Sequence, residues 1–335
     1  MSFNRFSPED FVVSSDSITA TLWSDGAVAL NTIYTSSTQE AGSSGNFYLN
    51  IYQTASTDAA AAIQFAIAYG NKYGSGSSLY NNSVAEASPT KTTYGQYQNL
   101  VLGDENANFT FGGFTSSDFW VISVDRTRYK ESLFPGSLAL TLSGSDGTIT
   151  LTDDSQVASS VVFNDAGRVY QLVSGSQGTV YTGLYSTGYS PSGSYGWLLP
   201  DIGTIILNPV ALSASISLSP SQSSNSDGLN YRKLYTAING ASAKSFYLNS
   251  QETISSDYIF VRARNAEFNY SENPSFISGS TGEVLYNSFI NTPQTYITTV
   301  GLYNDTNELL AVAKLSRPLL KDFTKEALVR VKLDF

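Results

Sequence analysis

The chain contains no cysteine and no histidine. The first absence removes disulfides, thiolate nucleophiles and zinc–thiolate centres together. The second removes the usual general base near neutral pH and the commonest metal ligand. Ser-His-Asp, Cys-His and His-metal chemistry are excluded by composition alone. A thiol-free chain suits synthesis in a cytoplasm followed by service outside the cell, without redox dependence. Charge is scarce as well: charged residues make up 14% of the chain, well below the usual quarter, and the formal net charge is −10. Such a chain lacks the cations that displace phosphate counterions, so nucleic acid is not an expected partner. Between Glu131 and Tyr231 the only basic residue is Arg168, whereas many follow Tyr231. Solubility is the plain explanation of the acid excess. Long apolar runs are also missing. Ala59–Ala68 is too short to span a bilayer, and Ile202–Leu218 is broken by Asn208, Pro209 and several serines, so no membrane partner is expected. Met1–Asp10 lacks a basic region followed by an apolar core, so export by a signal peptide is not expected either.

What is present is uncharged polarity and aromatic bulk. Ser, Thr, Asn, Gln, Gly and Tyr supply the polarity, and an aromatic fraction of 13%, with 22 Tyr and 18 Phe, argues against disorder. β-Branched and aromatic residues among such polar ones suit pleated, half-buried surfaces. The expected class is all-β, mainly antiparallel, with β-sandwich-like domains, long polar loops and at most one or two short helices. A chain of 335 residues suits two domains or one large β domain. The serine-rich stretch Ser213–Asp227 is the best linker or inserted loop. It divides residues 1–212, an N-terminal β-rich part, from residues 228–335, a C-terminal β domain ending in a three-strand unit.

Local patterns set out the elements. Phe11–Leu30 reads as a hairpin around Ser24-Asp25-Gly26, and Asn46–Tyr52 as a strand with Phe47, Leu49 and Ile51 on one face. Ile63–Tyr69 alternates as a strand does, and Thr92–Leu102 reads as a helix stopped by Gly103. Asn71–Thr93 and Gly175–Gly196 read as polar loops. Phe119–Asp125 is an apolar strand. Leu138–Leu151 is the clearest hairpin, turning at Ser145-Asp146-Gly147, and Ser159–Val173 repeats that form around Asn164–Gly167. Further strands are read at Ile205–Leu207, Ser245–Leu248 and Tyr258–Arg264.

Few residues offer chemistry. Glu9-Asp10, Asp104-Glu105 and Asp153-Asp154 could serve as paired carboxylates in glycoside hydrolysis, but each lies in or beside a turn, where acids are common. Asp104–Asn108 and Asn304–Glu308 have oxygen ligands of the calcium type without EF-hand spacing, and hydrogen-bonded turns are the plainer reading. The glycine-rich stretches at Gly74 and Gly112 lack a phosphate-loop context. The sequence therefore points to no catalytic residue, metal or cofactor. Binding surfaces are the better candidates. Tyr181, Tyr185, Tyr189, Tyr195 and Trp197 could stack on sugars or on a protein partner. Arg126, Arg128 and Lys130 alternate and would share one face of a strand, guarding an edge or meeting an acidic neighbour.

The last forty or so residues are unusually ordered for a terminus. Tyr296–Tyr303 is a strand, Asn304–Glu308 a cluster of turn formers, Leu309–Leu315 the return, and Leu328–Leu333 a third strand. In that last strand Ala327, Val329, Val331 and Leu333 face one way, and Arg330 and Lys332 the other. Thr295–Leu315, with its core Thr299–Ala313, resembles a hairpin of tail proteins from contractile-tailed bacteriophages, which precedes a proline-containing loop (here Pro318) and a final strand. Phe65–Gly70, Leu100–Phe109 and Val124–Glu131 are similar to virion structural proteins of T4-like phages of marine cyanobacteria. The resemblance implies a non-enzymatic baseplate or tail-fibre-attachment protein, assembled in the host bacterial cytoplasm. It would be a homo-oligomer within a symmetric virion, partnered by other tail proteins. Alternatives are a host-surface carbohydrate-binding or tail-spike-like module, and a head or neck decoration protein.

Overall fold

The computed structural model describes residues 4–41, 47–74, 76, 88–181, 188–221, 227–241, 246–271 and 273–334. The fold is all-β and mostly antiparallel. Its strands are β1 (Phe11–Thr21), β2 (Ala29–Leu30), β3 (Tyr48–Tyr52), β4 (Ile63–Asn71), β5 (Phe109–Phe111), β6 (Phe114–Ser116), β7 (Asp118–Val124), β8 (Ser132–Leu133), β9 (Ala139–Gly144) and β10 (Gly147–Asp153). They continue with β11 (Val162–Asn164), β12 (Gly167–Ser176), β13 (Thr179–Val180), β14 (Gly196–Leu199), β15 (Thr204–Leu207), β16 (Phe246–Tyr247), β17 (Asn249–Ala263), β18 (Gln294–Tyr303), β19 (Leu309–Asp322) and β20 (Ala327–Asp334). Among the described residues five short helices exceed the one or two expected: α1 (Ser37–Ala41), α2 (Thr90–Leu102), α3 (Pro209–Ile216), α4 (Asn230–Gly240) and α5 (Ser288–Asn291). Only α2 was legible. Tyr94, Gln98 and Val101 are buried at helical spacing, and Gly103 caps the helix in the left-handed region at φ 63°.

The chain forms two compact bodies, Ile18–Glu252 and a smaller one made of Met1–Ser17 with Thr253–Phe335. The chain passes between them within β1 and within β17, not at the serine-rich stretch, whose first residues, Ser213–Ile216, close α3. Asn208 caps that helix by accepting the Val210 N–H at 3.1 Å, and Pro209 sits at the first helical position, so local capping overrides the serine content.

The larger body is built on one long sheet, ordered β2-β16-β9-β10-β12-β14-β15-β7-β4-β3. Period-2 alternation sends its side chains into two cores. From β7, Trp120, Ile122 and Val124 enter the main core, while Phe119 and Val121 enter a second core with Tyr94, Val101, Phe109 and Trp197. The sheet curls. Phe65 of β4 and Phe246 of β16, far apart in strand order, bring their rings within 5.3 Å of each other, and α4 packs on both β9 and β4. The Trp120 indole N–H donates to the Asn230 carbonyl at 2.9 Å, fixing the start of α4 inside the curl. Ser24–Gly26 does turn, but β2 pairs with β16 rather than β1. Buried Trp23 packs 5.0 Å from the Phe246 ring and draws this segment into the core, so no hairpin closes.

In the smaller body β17 is flanked by β1 and β20, and β18 with β19 forms a separate hairpin. Ile259, Val261, Val329, Val331 and Leu333 from the first sheet pack with Val300, Leu302, Ala311 and Ala313 from the hairpin, together with Phe6. This is a small sandwich. The expected alternation of β20 is present, but its partner is β17, from Ala263↔Ala327 to Ser256↔Asp334, rather than the preceding hairpin. Pro318 lies inside β19 rather than in a loop. Between the pairs Thr299↔Lys314 and Ile297↔Leu319, residues 315–318 oppose Thr298 alone, a bulge that removes the need for a proline N–H.

Candidate functional site

A polar network of the larger body lies across β10, β12 and β14, with Gln171 at its centre. The Gln171 N–H donates to Asp154 Oδ1 at 2.9 Å, and its carbonyl accepts the Asp154 N–H at 3.0 Å. Its Oε1 accepts from Ser194 Oγ at 2.6 Å and from the Trp197 indole N–H at 3.1 Å. Asp153, fully buried, receives the Gly136 N–H on both oxygens, at 2.8 and 2.9 Å. Nearby, Arg168 grips Asp201: Nη2 lies 2.6 Å and Nε 3.0 Å from Oδ1, and the Arg168 N–H donates to Oδ2 at 2.7 Å. Burial works to raise the Asp201 carboxyl, but the Arg168 donors outweigh it and hold the group below its ordinary value. The close approach needs Gly167, at φ 102°, where a Cβ would lie 2.3 Å from Asp201 Oδ2.

Burial pushes the Asp154 carboxyl up to about 6, with the Asp153 charge adding to the rise and the Gln171 N–H opposing it. The folded state therefore binds the Asp154 proton more tightly than the unfolded chain. The stability linked to it is present below pH 4 and is lost as pH rises through about 6. Asp154→Asn should leave stability unchanged near pH 3.5 and raise it by about 1–2 kcal/mol at pH 7.5, discounted for the partial exposure of the group. Urea titrations of both proteins across that range check this, and a variant equally stable or weaker at pH 7.5 refutes it.

As chemistry, the network offers little freedom. Asp153 is spent on backbone donors, Asp201 on a guanidinium, and Asp154 accepts the Gln171 N–H. Asp104 accepts the Asn106 N–H at 2.8 Å, Asp10 caps back to the Ser7 N–H at 2.9 Å, and Asn304 Oδ1 holds the Thr306 and Glu308 N–H groups at 3.1 and 2.8 Å. These are hydrogen-bonded turns. Among the described residues no cluster of three or more acidic side chains is placed to hold a metal ion.

The candidate interface residues separate. Tyr181 is 54% exposed. Tyr189 is half-buried, its ring lying over Gly112. Tyr185 falls outside the described residues. Tyr195 and Trp197 are buried in the cores, Tyr195 sharing a hydrogen bond with Ser215 Oγ at 2.8 Å and Trp197 packing 5.0 Å from the Phe111 ring. Arg126 and Arg128 do not stand on a strand. Asp125 accepts the Thr127 N–H at 2.9 Å and starts a 3-10 turn over Arg126–Arg128. Arg126 Nη1 and Nη2 then reach the Tyr129 and Lys130 carbonyls at 2.5 and 2.6 Å, with the guanidinium over the Tyr129 ring. Lys130 pairs with Glu252 at 2.7 Å. Asp125, Arg126 and Tyr129 border an open cleft of about 410 Å³ with Asn50, Ala66 and Ser123.

Sequence reasoning missed Gln171 and the Arg168–Asp201 pair. Arg168 was detectable, because a lone cation in a long acidic stretch must find a carboxylate. It also missed Lys321, which is fully buried in the smaller body. No family model, curated protein or solved structure matches the chain.

Proposed function

We propose that the chain is a non-enzymatic structural subunit of a contractile-tailed bacteriophage particle, of the baseplate or tail-fibre-attachment kind, acting through protein–protein contacts. One observation carries this reading beyond the resemblance of the terminal hairpin. The smaller body leaves large apolar side chains exposed along its strands: Phe11, Val12 and Val13 on β1, Leu309, Leu310 and Val312 on β19, and Leu328 on β20. Its buried core is thin, with Ile259, Val300, Leu302 and Val331 at its centre. Apolar strands of this kind are a hazard in a free monomer and an asset in a subunit that neighbours cover. The glycan-binding alternative has less support, since Tyr195 and Trp197 are not available for stacking. Mass spectrometry of purified particles should detect the protein at a fixed copy number. Its absence from intact particles refutes the proposal. Imaging particles that lack the protein should reveal defective tails; defective heads would favour the decoration role instead.

A further inference from the structure

Among the described residues no further strand pairs with either edge of the smaller body's three-strand sheet, and the two edges differ in charge. At one edge, from Phe11 to Ser17, every β1 residue except Ser14 is exposed, with Val13 at 72%. Residues 6–21 carry Glu9, Asp10 and Asp16 and no base. At the other edge β20 exposes Leu328, Arg330, Lys332 and Asp334 in alternation. Asp334 is already bonded to Lys332 at 2.9 Å and to Ser256 Oγ at 2.7 Å, which leaves Arg330 as the uncompensated charge. The outward residues of β17 and β20 pair as Tyr258↔Lys332, Phe260↔Arg330 and Arg262↔Leu328, so cations and aromatic rings alternate up to this edge. Arg330 and Lys332 lie 5.4 and 5.9 Å from the Tyr258 ring centroid. Within one copy Asp16 attracts Lys332 more weakly than Asp334 does.

Like edges repel under this arrangement. Two β1 strands would bring acidic segments together, and two β20 strands would bring their uncompensated Arg330 side chains together. Unlike edges complement each other in charge, and each offers exposed aliphatic side chains, Val12 and Val13 on one and Leu328 on the other. We propose that a second copy of this chain adds edge to edge, β1 of one copy pairing with β20 of the next, so that their sheets become continuous. Main-chain hydrogen bonds supply the affinity and the charge pattern supplies the direction. The contact is heterologous: it generates a closed ring if the rotation between copies closes and a filament if it does not. The inference rests on the subunit reading above and names its nearest partner.

Sedimentation velocity of the full chain tests it. Association should rise with concentration between about 1 and 100 µM and weaken with salt, as screened charge pairs do. The double variant Arg330→Glu, Lys332→Glu, whose side chains point outward, should associate at least about tenfold more weakly while keeping its melting curve. Adding Asp16→Lys should restore association. A wild-type chain that stays monomeric throughout, or a double variant that associates like the wild type, overturns the pairing. A protein found in particles yet monomeric alone refutes this inference and leaves the subunit reading standing. A self-associating protein absent from particles does the reverse.

Discussion

Lys321→Met should destabilise the smaller body by about 1–3 kcal/mol, the cost of leaving buried acceptors without their donor. Lys321 is fully buried, and its ammonium donates to the Asn265 carbonyl at 3.0 Å, Asn269 Oδ1 at 2.8 Å and the Asp322 carbonyl at 2.8 Å. Those three bonds use all three of its donors. Its cross-strand partner is Thr295, also buried, whose hydroxyl donates to the Phe268 carbonyl at 2.6 Å. The pair clamps the segment after β17 onto the base of the hairpin. Methionine preserves much of the volume but leaves three acceptors facing an apolar chain. A nearby control separates charge from clamp: Lys325 meets Asp322 at 3.8 Å from an exposed position, so Lys325→Met should change stability by less than about 0.5 kcal/mol. Urea titration, with hydrogen exchange of the β18 and β19 amides as the local probe, distinguishes them. Equal effects of the two variants would show that Lys321 is not a clamp.

Patterns confined to neighbouring residues were legible in the sequence. Leu49 and Ile51, or Phe65, Ile67 and Tyr69, announce strands because period 2 buries alternate residues, and all five are in the main core. The hairpin at Ser145-Asp146 pairs Gly144 with Gly147 as its turn residues demand. What failed depended on partners distant in the chain. Nothing within Ala327–Asp334 says that β17 rather than β19 will be its neighbour, because the same apolar face serves either pairing. Nothing near Ala29 says that Tyr247 will pair with it. At Arg126–Arg128 a local signal was present and misread: Asp125 with Thr127 two residues on is a turn signature, and it overrode the alternation of cations. The candidate site was poorly legible for the same reason. Gln171 matters only because β10 and β14 lie on either side of it.

Gly196→Ala should damage the larger body by about 3–5 kcal/mol, from backbone strain and overpacking together. Gly196 has φ 142°, which side-chain-bearing residues rarely adopt, and a Cβ there would lie 1.9 Å from the Ile206 carbonyl oxygen. That oxygen belongs to β15, held between β14 and β7 in the middle of the long sheet, so it has nowhere to retreat. The conformation also has a purpose. Along a regular strand Tyr195 and Trp197 would point the same way, yet Tyr195 lies in the main core and Trp197 in the second one. Gly196 resets the alternation, and with it the indole reaches Gln171 while the phenol reaches Ser215. Alanine must therefore either distort the β14–β15 ladder or withdraw one of these rings from its core. Near-ultraviolet circular dichroism should show loss of the fixed Trp197 environment at a denaturant concentration where the wild type is fully folded. Gly26→Ala, also at positive φ (72°) but with open space where its Cβ would be, should cost only about 1 kcal/mol. A Gly196→Ala variant no weaker than Gly26→Ala would mean that β14 can shift within the sheet.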